Sequence, residues 1–410
     1  MKPDRSSPSV GIGAVPQAIT ISDDETLANT YLAPDPVTYP RLQMMNIQRW
    51  LSPGPSRRPA SGGRLAVLLA LCALVPAAGA QQPKGKKDSE ASDDKFYAAW
   101  GLVEKDGRWL RKSDVEHMDK DEVQHPDSGV WIPKTDLEKA QSGQHLVSGQ
   151  WVSSEEAEKS HKTWATPWVL LSDNVELHTI VTLKEAQDIL NEAETAVGFT
   201  KNLIWDPIKP LPQRVKIFAF NNQERYRDFG NDFDDSGFSS HGAFQCLSRD
   251  DKPVAVFYGA KDWGPYYLKH GVGVGIATQL LVPLGIPERH WILTGFGGYA
   301  ARWSNETAAS HFGKQYIAKG GIRSLKSFPK SFTINADMSA QDLDWTIYQA
   351  GILVAFLQKP NDKVVKAWDL VRKAVRERDK QTLKTYQAFE KVLLLQEKDL
   401  KAFLKEKVQG

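Results

Sequence analysis

The chain has 410 residues, of which 41% are hydrophobic and 25% charged, with 13 tryptophans. This length indicates about two to three folding units, and the composition is typical of a globular protein with a sizeable core. The 52 basic and 50 acidic residues nearly cancel, which excludes general electrostatic binding to nucleic acid. Two cysteines exclude a disulfide framework and a cysteine-rich zinc or iron–sulfur site.

An apolar run with a basic flank lies near the start of the chain. Four arginines between positions 49 and 64 precede the apolar residues 65–75, and residues 78–80 (Ala-Gly-Ala) offer the small side chains that signal peptidase accepts. The run is shorter than the roughly 20 residues that cross a bilayer. We therefore predict a signal peptide over residues 45–80, cleavage after Ala80, a secreted or periplasmic location and no membrane span in the mature chain.

The segments on either side of this signal are polar. Residues 1–44 are rich in proline, serine and aspartate, and we interpret them as a start codon placed too early or as a disordered leader. Residues 81–97 predict a flexible linker. The first 80 residues hold seven basic and five acidic residues, which leaves 45 of each after Ala80. The exported chain is then formally neutral and keeps a single cysteine, Cys246.

Three Gly-x-Trp motifs follow at intervals of 22 and 20 residues, and we assign residues 98–163 to a repeat region. A glutamate stands seven residues after the tryptophan of each motif. Each unit predicts a glycine turn, a short strand with its tryptophan, and a helical turn. The tryptophans are Trp109, Trp131 and Trp151, and the predicted helix N-caps are Ser113, Thr135 and Ser153. The favoured role of the tryptophans is packing, and the alternative is a platform that binds a ligand.

The remainder, residues 164–410, predicts strands followed by helices, which is the pattern of an α+β domain. Strands are predicted at 168–181 (a strand or hairpin), 214–220 and 253–258. Helices are predicted at 183–197 (ending before Gly198), 266–284, 291–303, 345–357, 362–378 and 396–408.

The order of these elements resembles a gluzincin-type (peptidase MA-like) secreted bacterial metallopeptidase. Residues 287–299 (PERHWILTGFGGY) are similar to the region where the family has a proline, a Trp-Leu pair, the zinc-ligand glutamate and Gly-Leu-Ala-Glu-Tyr. Residues 348–357 (YQAGILVAFL) resemble a later helix of the family, and residues 385–403 resemble its closing helices. The resemblance implies a small N-terminal sheet and a helical C-terminal half over residues 168–408.

The zinc-binding residues that this resemblance implies are missing. A catalytic zinc of this kind needs two histidines four residues apart on a helix, a glutamate after the first histidine, and a third ligand from the next helix. With His270 as the first ligand, the general-base position is Gly271 and the second ligand position is Val274. The third-ligand position falls on Thr294. A shifted alignment leaves no ligand pair either.

We therefore predict no catalytic residue, no metal and no cofactor in this domain. An unconventional zinc site built from His241, His270 and His290 is the alternative. Cys246 has no catalytic signature around it and is interpreted as a buried thiol. The acidic segment 228–235 is interpreted as a loop, because it lacks the regular calcium-binding pattern.

Glycines accumulate on the two helices that would have held the metal: Gly271, Gly273 and Gly275 on one, and Gly295, Gly297 and Gly298 on the other. Small residues at these positions let helices approach closely, so we expect the former cleft to be filled by backbone. The alternative is an open groove, walled by glycine, that admits a peptide or a glycan.

Three functional hypotheses follow. The leading one is an exported, non-catalytic binding or scaffold protein whose partner is an unknown protein or an envelope polymer. The second is an active envelope hydrolase with an unorthodox site around His270, assisted by Tyr299 or Glu288. The third is binding of wall polymer or glycan through the tryptophans of the repeat region.

Overall fold

The computed structural model describes residues 95–233, 244–246, 254–259, 264–288, 290–326, 328, 340–358 and 362–409. All of them lie in the unit that spans residues 81–410. The predicted leader, the predicted signal peptide, most of the predicted linker and His241 lie outside the described residues. Of the segment 228–235, predicted as a loop, residues 228–233 are described and form the end of the helix Gln223–Phe233. The prediction is wrong there, because Tyr226 and Phe229 of this helix pack against Phe220 of the sheet.

Three β-hairpins, each followed by a short helix, form the N-terminal part. Strands β1 (Leu102–Lys105) and β2 (Arg108–Arg111) precede helix α1 (Lys112–Asp119). Strands β3 (Glu122–Gln124) and β4 (Trp131–Pro133) precede α2 (Leu137–Gln141), and strands β5 (Gln144–Val147) and β6 (Gln150–Ser153) precede α3 (Ser154–Ser160). Each motif tryptophan lies in the second strand of its hairpin. The predicted order of turn, strand and helical turn is therefore what these residues form.

The predicted N-caps differ in outcome. Ser153 caps α3, because its hydroxyl accepts the Glu156 amide at 3.3 Å while the Glu156 carboxylate accepts the Ser153 amide at 3.1 Å. The predictions for Ser113 and Thr135 are wrong. Helix α1 begins directly after β2, so Ser113 already lies inside its first turn, and Thr135 lies within the 3₁₀ turn Lys134–Asp136.

A five-stranded sheet follows, in the order β10-β11-β9-β8-β7. Its strands are β7 (Trp168–Leu171), β8 (Val175–Thr179), β9 (Val215–Phe220), β10 (Phe244–Cys246) and β11 (Val254–Phe257). The two edge strands, β7 and β10, run antiparallel to their neighbours, and β8, β9 and β11 are parallel. The parallel strands are joined through helices α4 (Leu183–Ile204) and α5 (Gln223–Phe233). The hairpin and the strands at 214–220 and 253–258 are confirmed, whereas β10 and α5 were not predicted.

Helices make up the rest of the described chain: α6 (Gly264–Leu281), α7 (Trp291–Gly298), α8 (Glu306–Ala318), α9 (Ala340–Ala355), α10 (Asp362–Arg376), α11 (Thr382–Leu394) and α12 (Glu397–Gln409). Helix α7 continues as a π-helical turn, Tyr299–Trp303. Strands that precede a block of helices give the predicted α+β class. Helix α8 was not predicted. No helix among the described residues is long and apolar enough to cross a membrane.

Helix α4 corrects the boundary predicted before Gly198. The helix starts with a capping box at Thr182 and Glu185 and runs through Gly198 for a further six residues to Ile204. A glycine inside a helix costs only about 1 kcal/mol relative to alanine. The last turn buries Leu203 and Ile204, and this burial outweighs the cost.

One hydrophobic core joins the first hairpin to the sheet and the helices. Tyr97, Trp100 and Leu102 belong to the same buried cluster as the sheet and helix residues. Tyr97 corrects the end of the predicted linker, because its side chain is 4% exposed and its hydroxyl donates to the Asp206 carboxylate at 2.6 Å. The hairpin region therefore packs onto the α+β domain.

Candidate functional site

The predicted metallopeptidase-like cleft lies where α6 meets α7, and there the two backbones touch. A Cβ at Gly297 would lie 2.5 Å from the His270 ring and 2.7 Å from the His270 carbonyl oxygen. A Cβ at Gly273 would lie 2.5 Å from the Phe296 carbonyl oxygen. These distances are far below any real Cβ contact, so only glycine fits at both positions.

Helix α9 closes the same region from the other side of α7. A Cβ at Gly295 would lie 2.9 Å from the Ala350 carbonyl oxygen, and one at Gly298 would lie 2.7 Å from the Ile347 carbonyl oxygen. A Cβ at Gly351 of α9 would likewise lie 2.8 Å from the Gly298 carbonyl carbon. The expected closure of the helices is confirmed, and the alternative of an open groove walled by glycine is wrong.

His270 lies inside this closed interface. Its side chain is buried, and burial together with the positive charge of Arg302 holds its pKa well below the usual range. The other positions of the implied zinc site offer no ligand: Gly271 and Val274 are buried and Thr294 is half-buried. His270 is thus a neutral core histidine without access to solvent.

The residues invoked for other catalytic sites are also engaged elsewhere. Tyr299 accepts a hydrogen bond from the Gln358 amide at 2.6 Å, and burial raises its pKa to about 12. His290 precedes α7 and its Nδ1 faces the Ile292 amide at 3.4 Å, while its Nε2 lies 3.5 Å from the Glu390 carboxylate. Within the described ranges, neither His270 nor His290 joins a group of three possible metal ligands.

Each tryptophan of the hairpins is half-buried and has an aromatic neighbour. The ring of Trp109 lies 5.2 Å from Tyr97 and packs against the main core. Trp131 stacks on His117 at 5.0 Å with an angle of 4° between the rings. Trp151 stacks on His125 at 6.3 Å. Covered ring faces favour packing over ligand binding for all three tryptophans.

The structure has an open cleft between the first hairpin and the α+β domain. It has a volume of about 450 Å³ and lies among the end of β2, the start of β9, helix α6 and the turn after α10. Five basic residues line it, and no acidic residue does: Arg111, Lys112, Arg214, Lys216 and Arg378. We call this the basic cleft.

The positive charge of the basic cleft is only partly compensated by carboxylates behind it. Asp114 bonds both Arg111, at 3.1 Å, and Arg214, at 2.8 Å, so one buried carboxylate serves two guanidinium groups. Burial and the neighbouring Arg214 lower the pKa of Arg111. Lys216 lies 3.6 Å from Glu176. A net positive, solvent-filled cleft of this kind can hold an anionic group by charge-assisted hydrogen bonds.

Two histidines and one aspartate meet between the second and third hairpins. The possible ligand atoms of His125, Asp127 and His145 all lie within 4.8 Å of one another. The two imidazole rings stack at 4.9 Å, and His145 Nε2 lies 4.0 Å from the Asp127 carboxylate. Both histidines are buried and Asp127 is exposed.

The sequence predicted neither the basic cleft nor this histidine pair, because neither lies within one continuous segment. The basic cleft combines residues far apart in the chain, and the two histidines lie on different hairpins, so no single helix or strand displays either site. A signal was present, because His125 and His145 are separated by 20 residues, the interval between the second and third motifs. Residues one repeat apart meet when neighbouring units stack.

No family model matches the chain, and no curated protein and no solved structure matches it either.

Proposed function

We propose that this chain is an exported, non-catalytic binding protein whose α+β domain serves as a scaffold. The observation that supports it is the contact among α6, α7 and α9, which fills the place of a metallopeptidase cleft with glycine backbone. Catalysis needs a reactive group that a substrate can reach, and His270 is 4% exposed. The family resemblance, to a gluzincin-like domain without its zinc ligands behind Gly-x-Trp repeats, is part of this proposal.

The same contacts weigh against an envelope hydrolase centred on His270. A general base must lie within hydrogen-bonding reach of a bound substrate, but the approach to this ring is occupied by Gly297. Tyr299 could not assist as a phenolate base at neutral pH, since burial raises its pKa to about 12. Binding therefore fits this domain better than hydrolysis does.

The basic cleft is the surface that we assign to ligand binding. It is open and positively charged, its lining is partly polar and partly apolar, and it lies at the junction of the first hairpin with the domain. Two of its cations, Lys112 and Arg378, are exposed, and their contacts with Glu116 and with the Ala99 carbonyl oxygen are at the surface. The partner of such a cleft carries anionic groups, as a protein or an envelope polymer can.

Export is the part of the proposal that rests on sequence alone. The basic flank, the apolar residues 65–75 and the Ala-Gly-Ala at 78–80 have the pattern of a secretory signal. We expect the mature protein to begin at Gln81.

The proposal is tested by offering the purified chain short-chain polyphosphate as an anionic probe, and casein as a hydrolysis substrate. Replacing both exposed cleft cations (Lys112→Ala with Arg378→Ala) should weaken polyphosphate binding by roughly 2–30-fold, because two surface charge contacts are lost. No casein hydrolysis is expected with or without added zinc.

A matched control separates the cleft from general electrostatics. The double variant Lys120→Ala with Lys380→Ala removes the same charge from two exposed neighbours that do not line the cleft. It should bind polyphosphate nearly as wild type does. Equal weakening in both double variants would refute the assignment of the cleft. Chelator-sensitive hydrolysis that a folded His270→Asn variant lacks would refute the non-catalytic role.

A further inference from the structure

We propose that His125, Asp127 and His145 form a binding site for a divalent transition-metal ion, with zinc as the representative. Two imidazoles and a carboxylate from different elements converge there, which is a donor set that zinc and its neighbours in the periodic table prefer. The site is independent of the proposed binding function and of the closed helix interface.

Both ring nitrogens of His125 have hydrogen-bond partners, so a metal ion at Nδ1 would replace the bond from the Asp127 amide and keep the one that Nε2 makes. The Asp127 amide donates to Nδ1 at 3.1 Å, so Nδ1 carries the lone pair and the ring proton sits on Nε2. Nε2 then donates to the Gln144 carbonyl oxygen at 2.9 Å. A ligating histidine commonly gives its second nitrogen to a carbonyl in this way, which fixes the tautomer.

His145 supplies the observation that points most directly to a ligand. Its side chain is 3% exposed and its Nε2 forms no hydrogen bond within the described structure. A buried polar atom without a partner is costly, and such atoms are rare in folded proteins. This nitrogen faces the Asp127 carboxylate at 4.0 Å, and a metal ion between them would satisfy both groups.

The surroundings allow an ion to enter and the ligands to close on it. Metal–ligand bonds of about 2.0–2.2 Å require the three donor atoms to approach by roughly an ångström. Asp127 is exposed on the loop between β3 and β4, so its side chain can make this movement. A neighbouring surface cleft of about 510 Å³, lined by His125 and Asp127 together with Gln187 and Asn191, gives access from solvent. It also leaves room for a water molecule as a fourth ligand.

An ion at this position would link consecutive hairpins. His125 directly follows β3 of the second hairpin, and His145 lies in β5 of the third. Metal binding to the folded state alone raises stability in proportion to the logarithm of the ion concentration. A metal ion at this site would therefore stabilise the contact between the second and third hairpins, each of which is too small to fold alone.

The test is a calorimetric Zn²⁺ titration of the full chain after treatment with chelator, for wild type, Asp127→Asn, His145→Gln and the control His311→Gln. We expect one high-affinity ion per chain in wild type and in the control, whose replaced histidine is exposed on α8. Each site variant should bind more weakly by over about 100-fold, since loss of an outer-shell partner alone costs about 10–100-fold. Zinc should raise the thermal midpoint of wild type and not that of the site variants.

Absence of a stoichiometric ion in wild type would overturn the proposal. Undiminished zinc affinity in Asp127→Asn would overturn the proposal as well. If His145→Gln does not fold, Asp127→Asn alone tests the proposal, because the Asp127 side chain is exposed and its replacement should leave the fold intact. Cobalt(II) in place of zinc gives a second readout, as its visible absorption reports nitrogen and oxygen ligands directly. None of these results depends on hydrolysis or on polyphosphate binding.

Discussion

At the scale of single residues, the glycines of α6 and α7 decide what the domain can do. Glycine lowers helix propensity wherever it stands, so a helix retains it at a stability cost unless the missing side chain serves packing. Gly297 faces the ring and the carbonyl of His270, and no side chain fits between them. Gly198 of α4, in contrast, has nothing within 4 Å of the position of a Cβ.

These two glycines predict opposite effects of the same substitution. Gly198→Ala should raise the free energy of unfolding by about 0.4–1 kcal/mol, because it only restricts the unfolded chain. Gly297→Ala should lower it by about 1–3 kcal/mol, because the added methyl forces α6 and α7 apart. Urea denaturation of the two variants and of wild type measures both changes in the free energy of unfolding. Stabilisation by Gly297→Ala would show that the helices are not in contact.

At the residue scale, the predictions from the sequence are correct where a residue type has one strong structural preference. The run of glycines on adjacent helices pointed correctly to close approach, and Ser153 is the predicted N-cap, which Glu156 completes as a capping box. The predictions are wrong where the neighbouring structure determines the role of the residue. Thr135 and Ser113 have the same intrinsic preference as Ser153, but the strand before each helix ends at a different distance from them.

At the scale of elements, the second hairpin is joined to the sheet by a backbone hydrogen bond. The Leu171 amide of β7 donates to the Ser128 carbonyl at 2.7 Å. Gly129 stands next to this bond with a φ of +70°, and a Cβ there would lie 2.0 Å from the Leu171 carbonyl oxygen. Gly149 holds the corresponding position in the third hairpin with a φ of +83°, and its Cβ position is open.

This pair allows the docking of the hairpin to be tested separately from its turn. Gly149→Ala should cost about 1–2 kcal/mol, which is the cost of a left-handed backbone for an L-residue. Gly129→Ala should cost about 1–3 kcal/mol more, because overpacking adds to the same backbone term. Hydrogen exchange at the Leu171 amide should accelerate only in Gly129→Ala. Equal losses of stability in the two variants would mean that the second hairpin does not dock on β7.

The elements that the sequence did not predict are short or lack a strong apolar periodicity. Strand β10 is three residues long and sits at a sheet edge, so its periodicity is too short to detect. Helix α8 carries mixed polar and aromatic residues without a strong apolar stripe. Helix α5 does carry a helical signal, since Tyr226, Phe229 and Phe233 stand three and four residues apart, but it lies among polar residues in a short segment. Long periodic segments such as α4 and β9 were located correctly, and only the end of α4 was misplaced.

At the scale of the whole molecule, the two candidate sites lie outside the place that the family resemblance indicated. The basic cleft combines the first hairpin, β9, α6 and the end of α10, and the histidine pair combines two hairpins. The basic cleft is assembled from distant segments and leaves no local motif, whereas the histidine pair leaves only the 20-residue interval between His125 and His145. The closed helix interface did leave a local motif, because its glycines stand close together along α6 and along α7.

The central claim is that the interface of α6 and α7 is closed around a neutral, buried His270. It is tested most directly by NMR of the histidine ring Cε1–H signals of the full chain, assigned with His270→Asn, during titrations of pH and of Zn²⁺. Burial and Arg302 disfavour the imidazolium, so the His270 signal should remain that of a neutral ring from pH 7 to well below 6.5. It should also stay in place when zinc is added, while the signals of His125 and His145 move. A His270 signal that titrates near its ordinary pKa, or that shifts with zinc, would contradict the account.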